Sequence, residues 1–379
     1  MSQDRHVSGR VASSQHERPA TMRQLSYLFI VPLFSLPQMA VAQSSFDFYG
    51  QLNFGIWNTD DGIEDETYFT DNDNSNTRFG FNWTNDMGDG NALRFNFETS
   101  IGLNGSSAVT IDDTDLDFST SRTELRKFEF IYTTASYGTF SFGQGSTATD
   151  GSAEADLSGT SVIAYSGISD LAGSVEFRAP DGSFSGINIG DTFKSFDGSR
   201  RFRVRYDTPS FSGFVLSVSG GEEILNTDDD KEYYDLGAKY THESGDLKYD
   251  ARLGYSWVSG SDDLLKGSFA VFHTPTGLNL ALSSGAQQDG GDDDYVYVKL
   301  GVQQNWIAAG TTALSIDYND GSNYAIDGSE SKSIGLAAVQ TIDAHNLEIY
   351  AAWRTHEFDA PGESFEDIDV IALGARWKF

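Results

Sequence analysis

From Phe46 to the last residue, apolar and polar side chains alternate with a period of two, and the helical period of 3.6 is almost absent. Phe48, Gly50, Leu52, Phe54 and Ile56 alternate with Tyr49, Gln51, Asn53 and Gly55. Phe79, Phe81 and Trp83 alternate with Arg78, Gly80 and Asn82, and Phe202, Val204 and Tyr206 alternate with Arg201, Arg203 and Arg205. At the C-terminus Ile371, Leu373, Ala375, Trp377 and Phe379 share one parity, against Gly374, Arg376 and Lys378. In a strand such sets face opposite sides. A strand with lipid on one side and water on the other needs one aliphatic-aromatic face and one small or charged face.

Counting these segments predicts sixteen strands, near 46–58, 76–85, 91–102, 123–134, 137–144, 200–208, 211–220, 232–242, 246–258, 265–274, 277–286, 294–306, 311–319, 331–342, 346–357 and 367–379. Every second connection is short, as at Ala135-Ser136 and Asp343-Ala344-His345. The others are longer and mostly acidic: 59–75, 104–121, 145–199, 221–231, 287–293, 320–330 and 357–366. Short turns at one rim and long loops at the other, with an even strand count, describe a closed transmembrane antiparallel β-barrel. A barrel of sixteen strands is too wide for wall side chains to fill, so its polar face lines water.

The remaining composition narrows the class. The chain has no Cys, which excludes disulfides and thiolate metal sites. Its formal charge of −31 argues against nucleic acid as a partner. Residues 22–42 read as a secretory signal: Met22-Arg23 is a cationic start, Leu25 to Leu36 an apolar stretch, and Ala40-Val41-Ala42 a small-x-small cleavage site. Residues 1–21 read as an extension ahead of a second candidate start at Met22. Cleavage would leave one barrel domain, 43–379. Residues 1–42 carry four Arg, one Asp and one Glu, so 21 of 25 basic and 54 of 56 acidic residues remain, a net of −33. An exported chain without an apolar run of helix-spanning length fits either a soluble secreted protein or a barrel.

Four segments carry a family resemblance: Phe48-Tyr49-Gly50-Gln51-Leu52-Asn53; Asn76-Thr77-Arg78-Phe79-Gly80-Phe81 followed by Met87-Gly88-Asp89-Gly90-Asn91-Ala92; Tyr137-Gly138-Thr139-Phe140-Ser141-Phe142-Gly143-Gln144; and Val204-Arg205-Tyr206-Asp207-Thr208-Pro209-Ser210-Phe211-Ser212-Gly213-Phe214. In this order and spacing, with the aromatic C-terminus, the chain resembles the trimeric general-diffusion porins of Gram-negative outer membranes. The resemblance implies a sixteen-stranded barrel, a homotrimer, and passive diffusion of small hydrophilic solutes and ions; the apolar face of the strands is itself expected to meet outer-membrane lipid. It also implies that the long third loop, here 145–199, folds into the lumen.

Sieving by such a pore is electrostatic and steric. The loop carries Asp150, Glu154, Asp156, Asp170, Glu176 and Asp181, of which the first four are the candidate constriction acids. By parity Arg78, Arg94, Lys127, Arg201, Arg203 and Arg205 face the lumen, with Arg94 and Arg203 favoured as mid-strand positions. Arg178 is expected to pair within the loop, with Asp170, Glu176 or Asp181. Arg376 and Lys378 are expected in the periplasmic vestibule, away from the filter. Acidic runs such as Asp112-Asp113, Asp228-Asp229-Asp230 and Asp292-Asp293-Asp294 make the external mouth negative, which predicts cation preference. They could hold weak surface Ca²⁺, bridge to lipopolysaccharide through divalent cations, or be simply solvated charge. Asp71-Asn72-Asp73 opens like a calcium loop, but Asn76 and Asn82 stand where Gly and Glu are required. No other cofactor is expected.

Three rival readings remain. A barrel hydrolase needs His beside a nucleophile; His242, His273 and His345 fall in or near short turns and His356 at the outer rim, with no GxSxG, so no enzyme is expected. A soluble lectin-like sandwich would leave Phe79, Phe81, Phe95, Phe97, Trp353 and Trp377 exposed. A substrate-specific channel would show an aromatic ladder in the lumen, and Tyr49 and Tyr350 alone do not make one.

Overall fold

The computed structural model describes residues 43–118, 120–288 and 292–379. The signal segment lies outside them. Strands are β1 (Ser44–Asp60), β2 (Asp65–Asp71), β3 (Arg78–Gly88), β4 (Asn91–Ser100), β5 (Leu125–Thr134), β6 (Gly138–Ser146), β7 (Glu176–Arg178), β8 (Phe184–Asn188), β9 (Arg200–Asp207) and β10 (Phe214–Glu222). They continue as β11 (Glu232–Ser244), β12 (Leu247–Val258), β13 (Leu264–His273), β14 (Leu278–Gln287), β15 (Asp294–Ile307), β16 (Gly310–Ser322), β17 (Glu330–Ile342), β18 (Leu347–Ala360), β19 (Glu363–Ser364) and β20 (Ile368–Lys378).

Antiparallel neighbours pair in sequence order, and β20 returns to β1 in register from Gln51↔Lys378 to Asp60↔Asp369. The seam is finished by reciprocal 3.0 Å backbone bonds between Gly50 and Phe379 and by the Phe48–Phe379 ring contact. The last aromatic residue therefore locks the closing strand. β2 and β3 are two halves of one stave: β3 pairs with the first half of β1 and β2 with the second. β7 and β8 form a separate hairpin inside the 147–199 connection, and β19 is a short cap on β18. The result is a closed sixteen-stave barrel. Closure matters because in hydrocarbon every backbone N–H and C=O must be satisfied internally.

Burial inverts the pattern of a soluble barrel. Phe48, Phe142, Val204, Leu216, Leu253, Leu300, Ile371 and Leu373 are each more than half exposed, on the outer face. Asn53, Glu98, Glu129, Arg203, Asp235, Lys266, Lys299 and Arg354 are buried on the inner face.

One connection differs from expectation. Residues 59–75 read as an acidic loop, yet β1 runs to Asp60 and β2 returns from Asp65. The Asp61 carboxylate accepts the N–H groups of Ile63 and Glu64 and closes a tight turn. The acidic residues masked the strand-forming run Thr67-Tyr68-Phe69-Thr70.

The barrel also holds an apolar core, which parity alone did not suggest. The inner faces of β15 to β20 and of β1 present Tyr295, Tyr297, Ala313, Val339, Tyr350, Val370, Ala372 and Trp57. Against them pack Ile163, Leu171, Val175, Phe177, Ile189 and Phe193 of the long connection. Each such side chain contributes roughly 1.5–3 kcal/mol on burial, so this surface orders a segment that has little secondary structure of its own.

Candidate functional site

The 147–199 connection is tied to inward-facing wall residues along much of its length. Ala148 N–H donates to Ser219 Oγ at 2.7 Å, and Thr149 Oγ1 to Asp235 Oδ1 at 2.9 Å. Ala155 N–H donates to Ser268 Oγ, which in turn donates to the Ser152 carbonyl. Further along, Thr160 and Ser315 share a 2.8 Å hydroxyl contact. Asn72 Nδ2 donates to the Val162 carbonyl and Ser106 Oγ to that of Asp170. The segment thus crosses from β10 past β11, β12, β13 and β16 to the broken stave. It passes so close to the wall that Gly237 and Gly254, cross-strand partners, must lack side chains. A Cβ on Gly237 would sit 2.2 Å from the Ala148 carbonyl oxygen, and one on Gly254 would sit 2.7 Å from Ser152 Oγ.

The predicted loop acids take different parts. Asp156 pairs with Lys299, which is fully buried and also donates to the Ala164 carbonyl. That carboxylate anchors the segment. Asp170 accepts a hydrogen bond from Tyr165 OH. Burial pushes the Asp170 carboxyl up to about 6. Burial, with Asp197, Asp150 and Asp170 beside it, pushes Glu154 up to about 8. Asp197 was not among the predicted residues. Its carboxylate accepts the N–H groups of Gly151 and Ala153, and burial raises it to about 6. Asp150, Glu154, Asp170 and Asp197 therefore form one electrostatic group.

The basic residues divide as well. Arg78 and Lys127 both approach Glu98, at 3.8 and 3.6 Å, and Tyr49 OH donates to the same carboxylate at 2.9 Å. Arg126 approaches it most closely, at 2.7 Å. By parity Arg126 would face lipid. The β4–β5 register shifts between Glu98 and Thr99, skipping Arg126 on the partner strand, and this bulge turns its side chain inward. Arg203 is buried, bonded to Glu129 and to the carbonyls of Gly143 and Ser146. Arg205 pairs with Asp207 and donates to the Thr147 carbonyl. These two brace the root of the connection. Arg201 pairs with Glu223 at 3.1 Å and lies 4.2 Å above the Tyr233 ring. Arg94 is exposed, beside Thr84 and Ile131 and four residues nearer the short-turn rim than Glu98. Arg200, absent from the predicted set, makes no ion pair among the described residues. It lies within electrostatic reach of Arg126 and Glu98 and of Asp150 and Glu154.

Two pairings correct the sequence reading. Arg178 bonds neither Asp170, Glu176 nor Asp181; it pairs with Asp61 at 2.6 Å and Glu64 at 3.3 Å and lies 3.5 Å above the Phe184 ring. It clasps the β7–β8 hairpin to the β1–β2 turn, a contact across more than a hundred residues. Arg376 pairs with Glu348 and donates to Ser75 Oγ at 2.9 Å. It belongs to the basic group around Arg78, because the break at 72–77 brings Ser75 to it.

Asp71 and Asp73 are engaged by Thr77 and by Ser107 respectively. Among the described residues no three His, Asp or Glu side chains are grouped to hold a metal ion. His356 is fully buried against the Phe193 ring, and His345 sits in a 3₁₀ turn.

A closed barrel with an apolar outer face, a charged interior and an inward-lying connection defines an outer-membrane β-barrel channel. The chain belongs to the Gram-negative porin family, whose family model matches residues 30–361. The fold is also that of solved porins. The anion-selective porin from Comamonas acidovorans is 17% identical with a TM-score of 0.57, covering 89% of this chain and 100% of that one. OprB of Pseudomonas putida is 10% identical with a TM-score of 0.57, covering 88% and 94%. OmpF of Salmonella typhi is 11% identical with a TM-score of 0.56, covering 88% and 97%. No functionally curated protein matches the chain in sequence.

Proposed function

We propose that this porin forms a water-filled channel for passive diffusion of small hydrophilic solutes and ions, with a preference for cations. One observation carries the reading: the Asp150, Glu154, Asp170 and Asp197 group on the inward-lying connection stands within reach of Arg200 and, through it, of the Arg78–Arg126–Lys127 group around Glu98. Opposite charges across a water-filled gap make a transverse field, which the low-dielectric wall focuses. Polar solutes align with such a field, and apolar ones must disrupt the ordered water. Two unlike charges about 10 Å apart interact by roughly 1.7 kcal/mol at an effective dielectric of about 20, enough to bias ion occupancy severalfold. Most inward cations are neutralised locally: Arg203 by Glu129, Arg205 by Asp207, Arg354 by Asp317, Lys299 by Asp156. With a chain net charge of −31, the acidic mouth then decides the sign. The fold itself does not, since one of its structural relatives is described as anion-selective.

A homotrimer fits the outer face. Phe46, Phe48, Phe79, Phe81, Phe95, Phe97, Phe128, Phe130, Phe140 and Phe142 lie on β1, β3, β4, β5 and β6, many in mutual ring contact. The outer face of β13 to β17 is mainly aliphatic. A concentrated aromatic surface suits subunit packing, and the aliphatic one suits lipid, with lipopolysaccharide bridged to the acidic rim by divalent cations. No role in catalysis follows from the buried or turn-bound histidines.

Reversal potential in a KCl gradient tests the selectivity. A cation-selective value is expected, and an anion-selective value refutes the preference.

A further inference from the structure

Between the outer ends of β4, β5, β9 and β10 lies a cavity of about 470 Å³. It is lined by three cations, Arg126, Arg200 and Arg201, and by three acids, Asp73, Glu124 and Glu223. Arg126 is paired with Glu98, Arg201 with Glu223, and Asp73 is engaged by Ser107, which leaves one charge of each sign without an ionic partner among the described residues. Arg200 has no ion-pair partner and Glu124 only the Ser100 hydroxyl among the described residues. Gln144 also lines the cavity; it is 3% exposed, and its Oε1 has no hydrogen-bond partner. Arg201 Nε is likewise unpartnered. A buried polar atom without a partner is costly, so the Gln144 acceptor and the Arg201 donor are groups that a solute could satisfy.

We propose that this cavity is a weak binding subsite for small zwitterions, molecules of free amino acid or dipeptide size carrying one carboxylate and one ammonium group. The carboxylate would accept from Arg200 and Arg201. The ammonium group would donate to Glu124 and to Gln144 Oε1. A simple anion placed there would face Asp73, Glu124 and Glu223, and a simple cation would face three arginines. Only a solute with both charges can pair with Arg200 and with Glu124 together. The inference rests on the channel reading, because it places the subsite on the solute's path from the outer mouth.

Calorimetric titration of the detergent-solubilised full-length protein with glycylglycine tests it, with acetate, methylammonium and glycerol as one-charge and neutral controls. Saturable glycylglycine binding in the millimolar range is expected, with each control at least about tenfold weaker. Arg200→Gln and Glu124→Gln should each weaken glycylglycine binding about tenfold, and Arg200→Lys should retain part of it. No saturation, or equal binding of acetate or methylammonium, overturns the proposal on the wild-type protein alone, whether or not the variants fold. Planar-bilayer currents separate the two readings. Conductance without zwitterion binding removes the subsite and leaves the channel; binding without conductance leaves the subsite and removes the channel.

Discussion

Glu154 is a residue whose charge the local environment controls. Its carboxyl, pushed up to about 8 by burial and by neighbouring Asp197, Asp150 and Asp170, is protonated at neutral pH. Raising the pH through 8 removes that proton and adds one negative charge to the inward-lying connection. Cation preference should therefore rise severalfold between pH 6.5 and 9, as reversal potentials would show. Glu154→Gln should flatten that rise. A separate, smaller change near pH 6, from Asp170 and Asp197, should survive in the variant. An identical reversal potential at pH 6.5 and 9 in the wild type would contradict the placement of Glu154 beside the permeation path. Lys299 sets a different expectation. It is fully buried on Asp156, so Lys299→Met should leave an uncompensated carboxylate and cost about 3–5 kcal/mol. The loss should appear as faster protease cutting within 147–199. Replacing both partners, with Asp156→Leu added, should recover most of that protection.

At the scale of elements, the connection is held by close approach as much as by bonds. Gly237→Val would drive a side chain into the Ala148 carbonyl and displace the root of the connection. A shifted single-channel conductance is expected with unchanged barrel content by circular dichroism; an unaltered conductance would show that the connection does not limit the path. The elements also explain what could be read in advance. Apart from β2, which was read as part of an acidic loop, the positions of the barrel strands followed from parity, because one-sided burial in lipid enforces strict alternation. Where regular pleating fails, parity fails with it. The bulge at Arg126 turns a cation inward that alternation assigns to lipid, and Arg200 is the first residue of its strand. The break at 72–77 moves Arg376 into the basic group from a strand end that alternation places in a vestibule. Loop acids were identifiable by position, but their division into an anchor, Asp156, and a charged group, Glu154 with Asp197, depends on which wall residues the connection meets. No local pattern encodes that. Arg178 makes the same point, since its partners Asp61 and Glu64 belong to another hairpin.

At the scale of the whole molecule, the barrel closes on its own terminus and packs its longest connection against part of its inner wall. Charged groups sit on the remaining wall. The aromatic and aliphatic sectors of the outer face predict distinct sensitivities. Phe130→Ala should lower the temperature at which a trimer dissociates on semi-native gels, whereas Leu300→Ala, on the aliphatic side, should leave it within a few degrees. Equal effects of the two would contradict the assignment of the aromatic sector to subunit packing.

The central claim is that the lumen conducts water and ions past the inward-lying connection. Single-channel recording of the purified protein in planar bilayers measures this directly. Discrete steps are predicted, with a linear current–voltage relation and a conductance proportional to KCl concentration over the molar range. Silent membranes, or a conductance that saturates with KCl, would contradict it.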